Sequence, residues 1–326
     1  MRVFQNANYP FMQWRRRAYI ITALLFVVGF AAMAMNVGRY GTWLNYGVDF
    51  TGGTLVQVQF QRPVTVDAIR DAARAGGHSE WEITRFGTGN EYVIRMPTFR
   101  ETAQETSQSR VLSALNPAFG NDVRVTRTEA VGPKVGDELQ MRALYAILLS
   151  LLATLVYLWF RFEWRFGLAA IGATGHDLVI TLGVIALMRQ EVGLGTVAAL
   201  LTVVGYSLND TIVVFDRIRE NLAKPRHGAS FTEILNRSIN ETLPRTVLTG
   251  GSTMGTLLAL IVFGGPVIRD FAVVLLLGIF IGTFSSIFVA SPLLNAITGR
   301  WPHKAPTREQ AARSSSRGRE AARVRV

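Results

Sequence analysis

The chain has no cysteine, so neither disulfides nor thiolate-bound metal can hold any part of it together. Histidine is rare, with four in 326 residues, and lysine is scarce. Charged residues make up only 17% of the sequence, well below the roughly 25% of soluble domains. The net charge of +11 is not spread as nucleic-acid binding requires. From Arg300 to Val326 seven Arg and one Lys stand against Glu309 and Glu320, a net charge of +6, without the interleaved aromatics of a base-stacking surface. Such a Ser/Arg/Ala tail reads as disordered and suited to anionic lipid headgroups, not to a specific nucleic acid.

Long apolar runs are abundant. Six of them, at about 18–37, 142–160, 166–188, 193–215, 246–264 and 270–297, reach the length of roughly 18 residues that can span a bilayer. The fold class is a polytopic α-helical membrane protein with six transmembrane helices. The first run ends in AAMAMN, which looks like a signal-cleavage site, but at about 20 residues it exceeds a signal core of 7–15. It is therefore expected to be retained. Arg15, Arg16 and Arg17 precede it, which puts the N-terminus in the cytoplasm. Arg161 and Arg165, and then Arg217, Arg219, Lys224, Arg226 and Arg237, lie in the connections of the same side. Both termini are thus expected in the cytoplasm. The division is a cytoplasmic N-terminus (1–17), a first span (18–37), an extracytoplasmic segment (38–139), five further spans (140–298) and the basic tail (299–326).

Residues 38–139 contain alternating and helical patterns in turn. Thr54–Phe60, Glu80–Phe86, Glu91–Met96 and Asp122–Glu129 alternate as strands, the second and third joined by a hairpin turn at Gly87–Asn90. Val64–Ala75 and Thr102–Leu115 read as helices, the latter ending before Asn116 and Pro117. The order βαββαβ is the ferredoxin-like arrangement. No nucleophile with its base, metal-ligand spacing or phosphate loop occurs there, and His78 beside Gly76 and Gly77 reads as a turn residue. The segment is expected to bind or to move rather than to catalyse, with a sheet edge as one source of binding energy.

The chemistry is concentrated inside the membrane. The fourth run, Leu194–Phe215, contains Asn209 and Asp210, and a carboxylate in hydrocarbon is costly enough to mark function by default. Thr202, Tyr206, Asn209 and Asp210 share one helical arc of roughly 100°. In the third run His176 and Asp177 form a second costly pair, read either as a satisfied structural element or as support for Asp210. On the fifth run Arg245, Thr249, Ser252, Thr253 and Thr256 stand at i, i+4, i+7, i+8 and i+11, one helix face over about three turns. Pro244 is expected in that helix's first turn, and Gly250, Gly251 and Gly255 behind the polar face are expected to allow tight packing. Hydroxyls on membrane helices often bond only their own i−4 carbonyls. A carboxylate, a cation and hydroxyls that hold water between them suggest a proton site: burial favours the neutral acid and the guanidinium the carboxylate. Moving the Arg then loads or unloads the proton, and a charge crossing the membrane releases about 2.3 kcal/mol per 100 mV. No ATP site or other enzymatic site is needed, and neither metal nor cofactor is expected.

Four stretches, GVDFTGGTLV (Gly47–Val56), VGPKVGDEL (Val131–Leu139), VGYSLNDTIVVFDRIREN (Val204–Asn221) and RSINETLPRT (Arg237–Thr246), resemble the SecD/SecF family of bacterial protein-export membrane proteins, within the resistance-nodulation-division superfamily. The resemblance implies an inner-membrane protein that uses the proton gradient to pull or release preproteins emerging from the SecYEG channel. It implies Asp210 as the proton-binding carboxylate and Arg245 as its cationic partner, and says less about His176 and Asp177. It reads Gly47, Asp49, Gly52 and Gly53 as a connection that couples the first span to the external domain; Asp49 can equally be a turn former. Two six-helix halves form one unit in the superfamily, so SecD is the implied partner, as a separate chain. The alternatives are half of an efflux or lipid pump, which usually has much longer external loops, and a scaffold without ion flux, which leaves Asp210 and Arg245 unexplained. Sodium, held by oxygens of Ser207, Asn209, Asp210 and threonines, is the alternative to H⁺.

Overall fold

The computed structural model describes residues 4, 7–87, 89–97, 106–224 and 230–300. The first helix, α1, runs from Phe11 to Tyr40, seven residues earlier than the expected start of the span. Pro10 is the last residue that stops a helix, and the three arginines lie on solvent- or interface-facing turns that need no break. After it come a two-residue strand β1 (Asn45–Tyr46), a single helical turn α2 (Val48–Thr51) and strand β2 (Gly53–Phe60). Helix α3 (Val66–Ala75), capped by the Thr65 hydroxyl, strands β3 (Glu82–Phe86) and β4 (Glu91–Met96), helix α4 (Ser107–Phe119) and strand β5 (Val123–Val131) complete the small domain.

The four strands β2 to β5 form one sheet in the order β3-β4-β2-β5 with every neighbouring pair antiparallel. Alternation decides its faces. Val56, Val58, Ile83, Tyr92 and Ile94 pack under α3 and α4 with Ile69, Val111 and Leu115. Leu55, Val93 and Phe86 form a smaller cluster with Val48 on the opposite face, which is turned toward the ends of the membrane helices. One expectation is corrected here: helix α4 does not end before Pro117 but continues through it to Phe119. Its expected start at Thr102 lies outside the described residues.

Helices α5 (Pro133–Arg161), α6 (Trp164–Met188), α7 (Leu194–Ala223), α8 (Phe231–Phe263) and α9 (Gly265–Ser285) follow, with strand β6 (Glu191–Val192) between α6 and α7. Helix α9 runs on through a π-helical turn (Ser286–Ala290) into α10 (Ser291–Arg300). Among the described residues six helices are long and apolar enough to cross a bilayer, and the chain is a polytopic helical membrane protein. The fifth of them starts 15 residues earlier than the apolar run, because Ser230 and Glu233 form a reciprocal capping box. Pro244 therefore stands inside α8 rather than in its first turn.

Helices pack closely where side chains are smallest. A Cβ on Gly183 of α6 would come within 2.9 Å of the Gly29 Cα of α1, so these backbones touch. A Cβ on Gly282 of α9 would come within 2.9 Å of the Ser207 Cβ of α7. Of the three glycines expected to pack α8, only Gly250 does so, with its Cβ position 3.1 Å from the Thr283 hydroxyl; Gly251 and Gly255 face open space.

Candidate functional site: two buried carboxylates and a latch to the outer domain

Along α7 the polar stripe divides. Asp210 is 3% exposed, whereas Thr202 and Asn209 lie on the outer surface of the bundle. Tyr206 is half-buried and donates to Thr253 Oγ1 of α8 at 3.1 Å, tying the two helices together. Asp210 Oδ2 is buried with no hydrogen-bond partner. Arg245, the expected cationic partner, lies exposed on α8, and no ion pair joins it to Asp210 among the described residues.

The hydroxyls of α8 do not stand free as expected. Thr249 donates to the Arg245 carbonyl at 2.9 Å, Ser252 and Thr253 to the Thr249 carbonyl at 3.0 and 2.9 Å, and Thr256 to the Ser252 carbonyl at 3.1 Å. Their protons serve their own helix, and Ser252 and Thr256 face outward beside Arg245. The hydroxyl that does turn inward is that of Thr246, which is buried without a partner, as are those of Thr283 and Ser285 on α9. Spacing gave no sign of Thr246, since it lies one position off the Arg245 ladder. Unpaired polar atoms are thus contributed by α7, α8 and α9, where the π-turn that begins at Ser286 also touches α7. Each such group in a folded protein calls for a water, an ion or a chemical role.

Asp177 is arranged differently. It is fully buried, and its carboxylate accepts from His176 Nδ1 at 2.8 Å and from the Ser207 hydroxyl of α7. The other ring nitrogen of His176, Nε2, is buried without a partner. The ring forms a T-shaped pair with Phe26 of α1, centroids 5.5 Å apart. Ser207 stands one helical turn before Asp210, so the two acidic centres share α7.

Charged and amide groups that had no assigned role hold α7 and α8 together at the end remote from the sheet. Glu241 accepts from Arg217 at 2.6 Å, from Arg237 at 2.6 Å and from Asn221 at 2.8 Å. Arg237 and Glu241 stand at i, i+4 in the sequence, which was the available signal; the link to Arg217 required the fold. Asn236 and Asn240 accept from the backbone of Met12 and Tyr9, each at 2.8 Å, and so cap the start of α1.

At the other end, the GVDFTGG segment does more than join the first span to the domain. The Gly47 N–H donates to the Val192 carbonyl at 2.9 Å, and β1 pairs with β6 in parallel. Asp49 Oδ2 accepts from the Leu194 N–H at 2.8 Å, which caps the first turn of α7, where a carboxylate is favoured. Gly52 and Gly53 take φ values of 69° and 122°, conformations that L side chains rarely adopt. A Cβ on Gly136 of α5 would lie 2.9 Å from the Gly52 nitrogen. The motif therefore fastens the outer domain to the first turn of the helix that carries Asp210. The reading of Asp49 as only a turn former is corrected: its carboxylate spans 145 residues of sequence.

A six-span helical bundle with an unpaired buried acid, an exposed cation one helix away and a small sheet domain latched to the acid-bearing helix defines a class of membrane-embedded proteins coupled to an outer domain. The chain belongs to the SecD/SecF family: the family model "Protein export membrane protein SecD/SecF, C-terminal" matches residues 111–300 and "SecD/SecF GG Motif" matches residues 41–64. A protein translocase subunit SecF of Gemmatimonas aurantiaca is 46% identical over 308 residues, covering 93% of this chain and 91% of that protein. A SecF of Vibrio alginolyticus is 44% identical over 283 residues, covering 87% and 88%. The crystal structure of SecDF, a translocon-associated membrane protein from Thermus thermophilus, superimposes with a TM-score of 0.79 at 39% identity over 92% of this chain. This chain spans 40% of the length of that SecDF chain.

Proposed function

We propose that this protein is an accessory subunit of the bacterial Sec export machinery that works with a SecD-type partner and takes up and releases H⁺ at Asp210 to move its outer domain. The observation that carries the reading is the Asp210 carboxylate, buried in the bundle with an unpaired oxygen while Arg245 of α8 stands at the surface. Such an acid is stable when protonated and becomes favourable as a carboxylate when Arg245 swings toward it. Thr246, Thr283 and Ser285 supply polar atoms for water along the way. Asp177 and His176 support this site through Ser207. The SecD-type half faces the outward side of α7 and α8, where Asn209, Arg245, Ser252 and Thr256 are exposed. The resemblance to SecF translocase subunits and to the SecDF structure supports this assignment.

In this reading both termini are cytoplasmic, residues 38–139 lie outside the bacterial inner membrane, and their sheet order supports the ferredoxin-like assignment. The preprotein is the cargo, SecYEG the channel beside which the subunit works, and no bond is hydrolysed. H⁺ is preferred to Na⁺ because a single carboxylate within reach of an arginine suits titration better than it suits a cation cage, which needs several converging oxygens. The test is ion flux and preprotein export in vesicles containing the partner, for the parent and Asp210→Asn. Gradient-dependent export is expected to vanish in the variant while assembly persists; equal export by both removes the proposal.

A further inference from the structure

Between the open face of the sheet and the ends of the membrane helices lies a cleft of about 590 Å³, within the range of ligand sites of roughly 300–1,000 Å³. A smaller cavity of about 140 Å³ adjoins it across Phe86, Val93, Glu191 and Asp270. The roof is the face of β3 and β4 that α3 and α4 leave uncovered, and the floor is the end of α6 with the start of α9.

Three residues that line this cleft each carry a buried side-chain atom without a partner: Arg95 Nε, Arg189 Nη1 and Gln190 Oε1. Two of them donate and one accepts. Gln190 is held in place through its other end, Nε2 donating to the Asp270 carbonyl at 2.9 Å. Arg189 is kept at the floor by the Tyr40 ring, 4.0 Å from its guanidinium carbon, and occupies a left-handed conformation with φ 54°. That conformation closes the C-terminus of α6, the Arg189 N–H donating to the Ala186 carbonyl and the Gln190 N–H to the Ile185 carbonyl. Beside these atoms, β3 forms one edge of the sheet, and its outer N–H and C=O groups pair with no strand among the described residues.

The charge in the cleft is mixed. Arg95 pairs with Glu191 and, at 3.6 Å, with Glu82, and Arg269 stands beside Asp270. A phosphate or a nucleic acid, which would want cations alone, is poorly matched. An extended polypeptide is well matched, because its backbone offers carbonyls to the two arginines, N–H groups to Gln190 and an unpaired strand to β3, with Phe86 and Val93 to cover its side chains.

We infer that this cleft receives an extended segment of the translocating polypeptide, added along the edge of β3. The inference rests on the export reading given above and names the contact surface that the reading needs. The latch of Asp49 onto α7 places an occupant of this cleft next to the helix that carries Asp210.

The experiment uses the full chain with its partner in membrane vesicles. Phe86 is replaced by photoreactive p-benzoylphenylalanine, with Arg70 on the far helix α3 as the control position, and a labelled preprotein is halted during translocation. An adduct with the preprotein is expected at position 86 and not at 70. In the same vesicles Arg189→Gly, which keeps the left-handed backbone and removes the guanidinium, is expected to lower the yield about tenfold, the loss of one or two charge-assisted hydrogen bonds. Adducts confined to lipid or to the partner subunit, equal yields at 86 and 70, or an unchanged yield in Arg189→Gly overturn the inference. Export by Asp210→Asn in parallel separates the cases: if it is lost while position 86 stays silent, the export reading stands and the cleft assignment alone fails.

Discussion

Asp177 of α6 and Asp210 of α7 are chemically the same group, linked through Ser207 one helical turn before Asp210, and they are treated in opposite ways. Asp177 is enclosed, receives hydrogen bonds from His176 and Ser207, and is braced where Gly282 lets α9 press onto α7. Asp210 is enclosed as well, yet one of its oxygens faces no donor. A buried carboxylate with both oxygens satisfied contributes a fixed cross-link, while one left short of partners holds a demand that a proton, a water or a moving cation can meet. The difference supports the proposed reading, in which Asp177 braces the site and Asp210 is the group that changes state.

That comparison breaks most sharply if the two residues are exchanged in effect. Asp210→Asn is expected to abolish gradient-dependent export with wild-type amounts of folded protein, while Asp177→Ala is expected to lower stability by about 3 kcal/mol, by leaving a buried imidazole N–H and a hydroxyl without an acceptor. Thermal unfolding in detergent alongside vesicle export separates them; a stability loss in Asp210→Asn equal to that in Asp177→Ala would erase the distinction.

Arg245→Lys is expected to retain partial export, because an ammonium keeps the charge but not the planar fork or the reach of a guanidinium. Full export by the lysine variant would show that charge alone is read at Asp210. Ser207→Ala removes one donor from Asp177 and is expected to cost about 1–2 kcal/mol in unfolding, with export largely kept. Asp49→Ala, at the other end of α7, is expected to cost about 1 kcal/mol as a lost helix cap. Its sharper readout is amide exchange at Leu194, which is expected to quicken; unchanged protection there would mean that the latch does not hold the helix.

Much of the architecture was legible before any coordinates. Six apolar runs announced six spanning helices because length and hydropathy are local properties, and the order of strands and helices between residues 53 and 131 followed from alternation. The misplacements fell where a local stop signal was outvoted. Pro117 and Pro244 both lie inside helices, since a capping box upstream had already started each one and a single missing N–H does not by itself end a helix. The ladder of hydroxyls after Arg245 was legible as a face, but its direction was not, because a threonine bonding its own turn and one facing a neighbour have identical spacing.

The sequence by itself determined that this chain crosses a membrane six times, that it spends costly acids inside it, and that a short α/β segment interrupts the first two spans. Those follow from composition and period, which need only neighbours a few residues away. Only the tertiary structure decided which acid is satisfied, that Thr246 rather than Ser252 turns inward, and that Asp49 caps a helix 145 residues downstream. Partners in those contacts are brought together by packing across the whole chain, and no periodicity along the sequence encodes who meets whom.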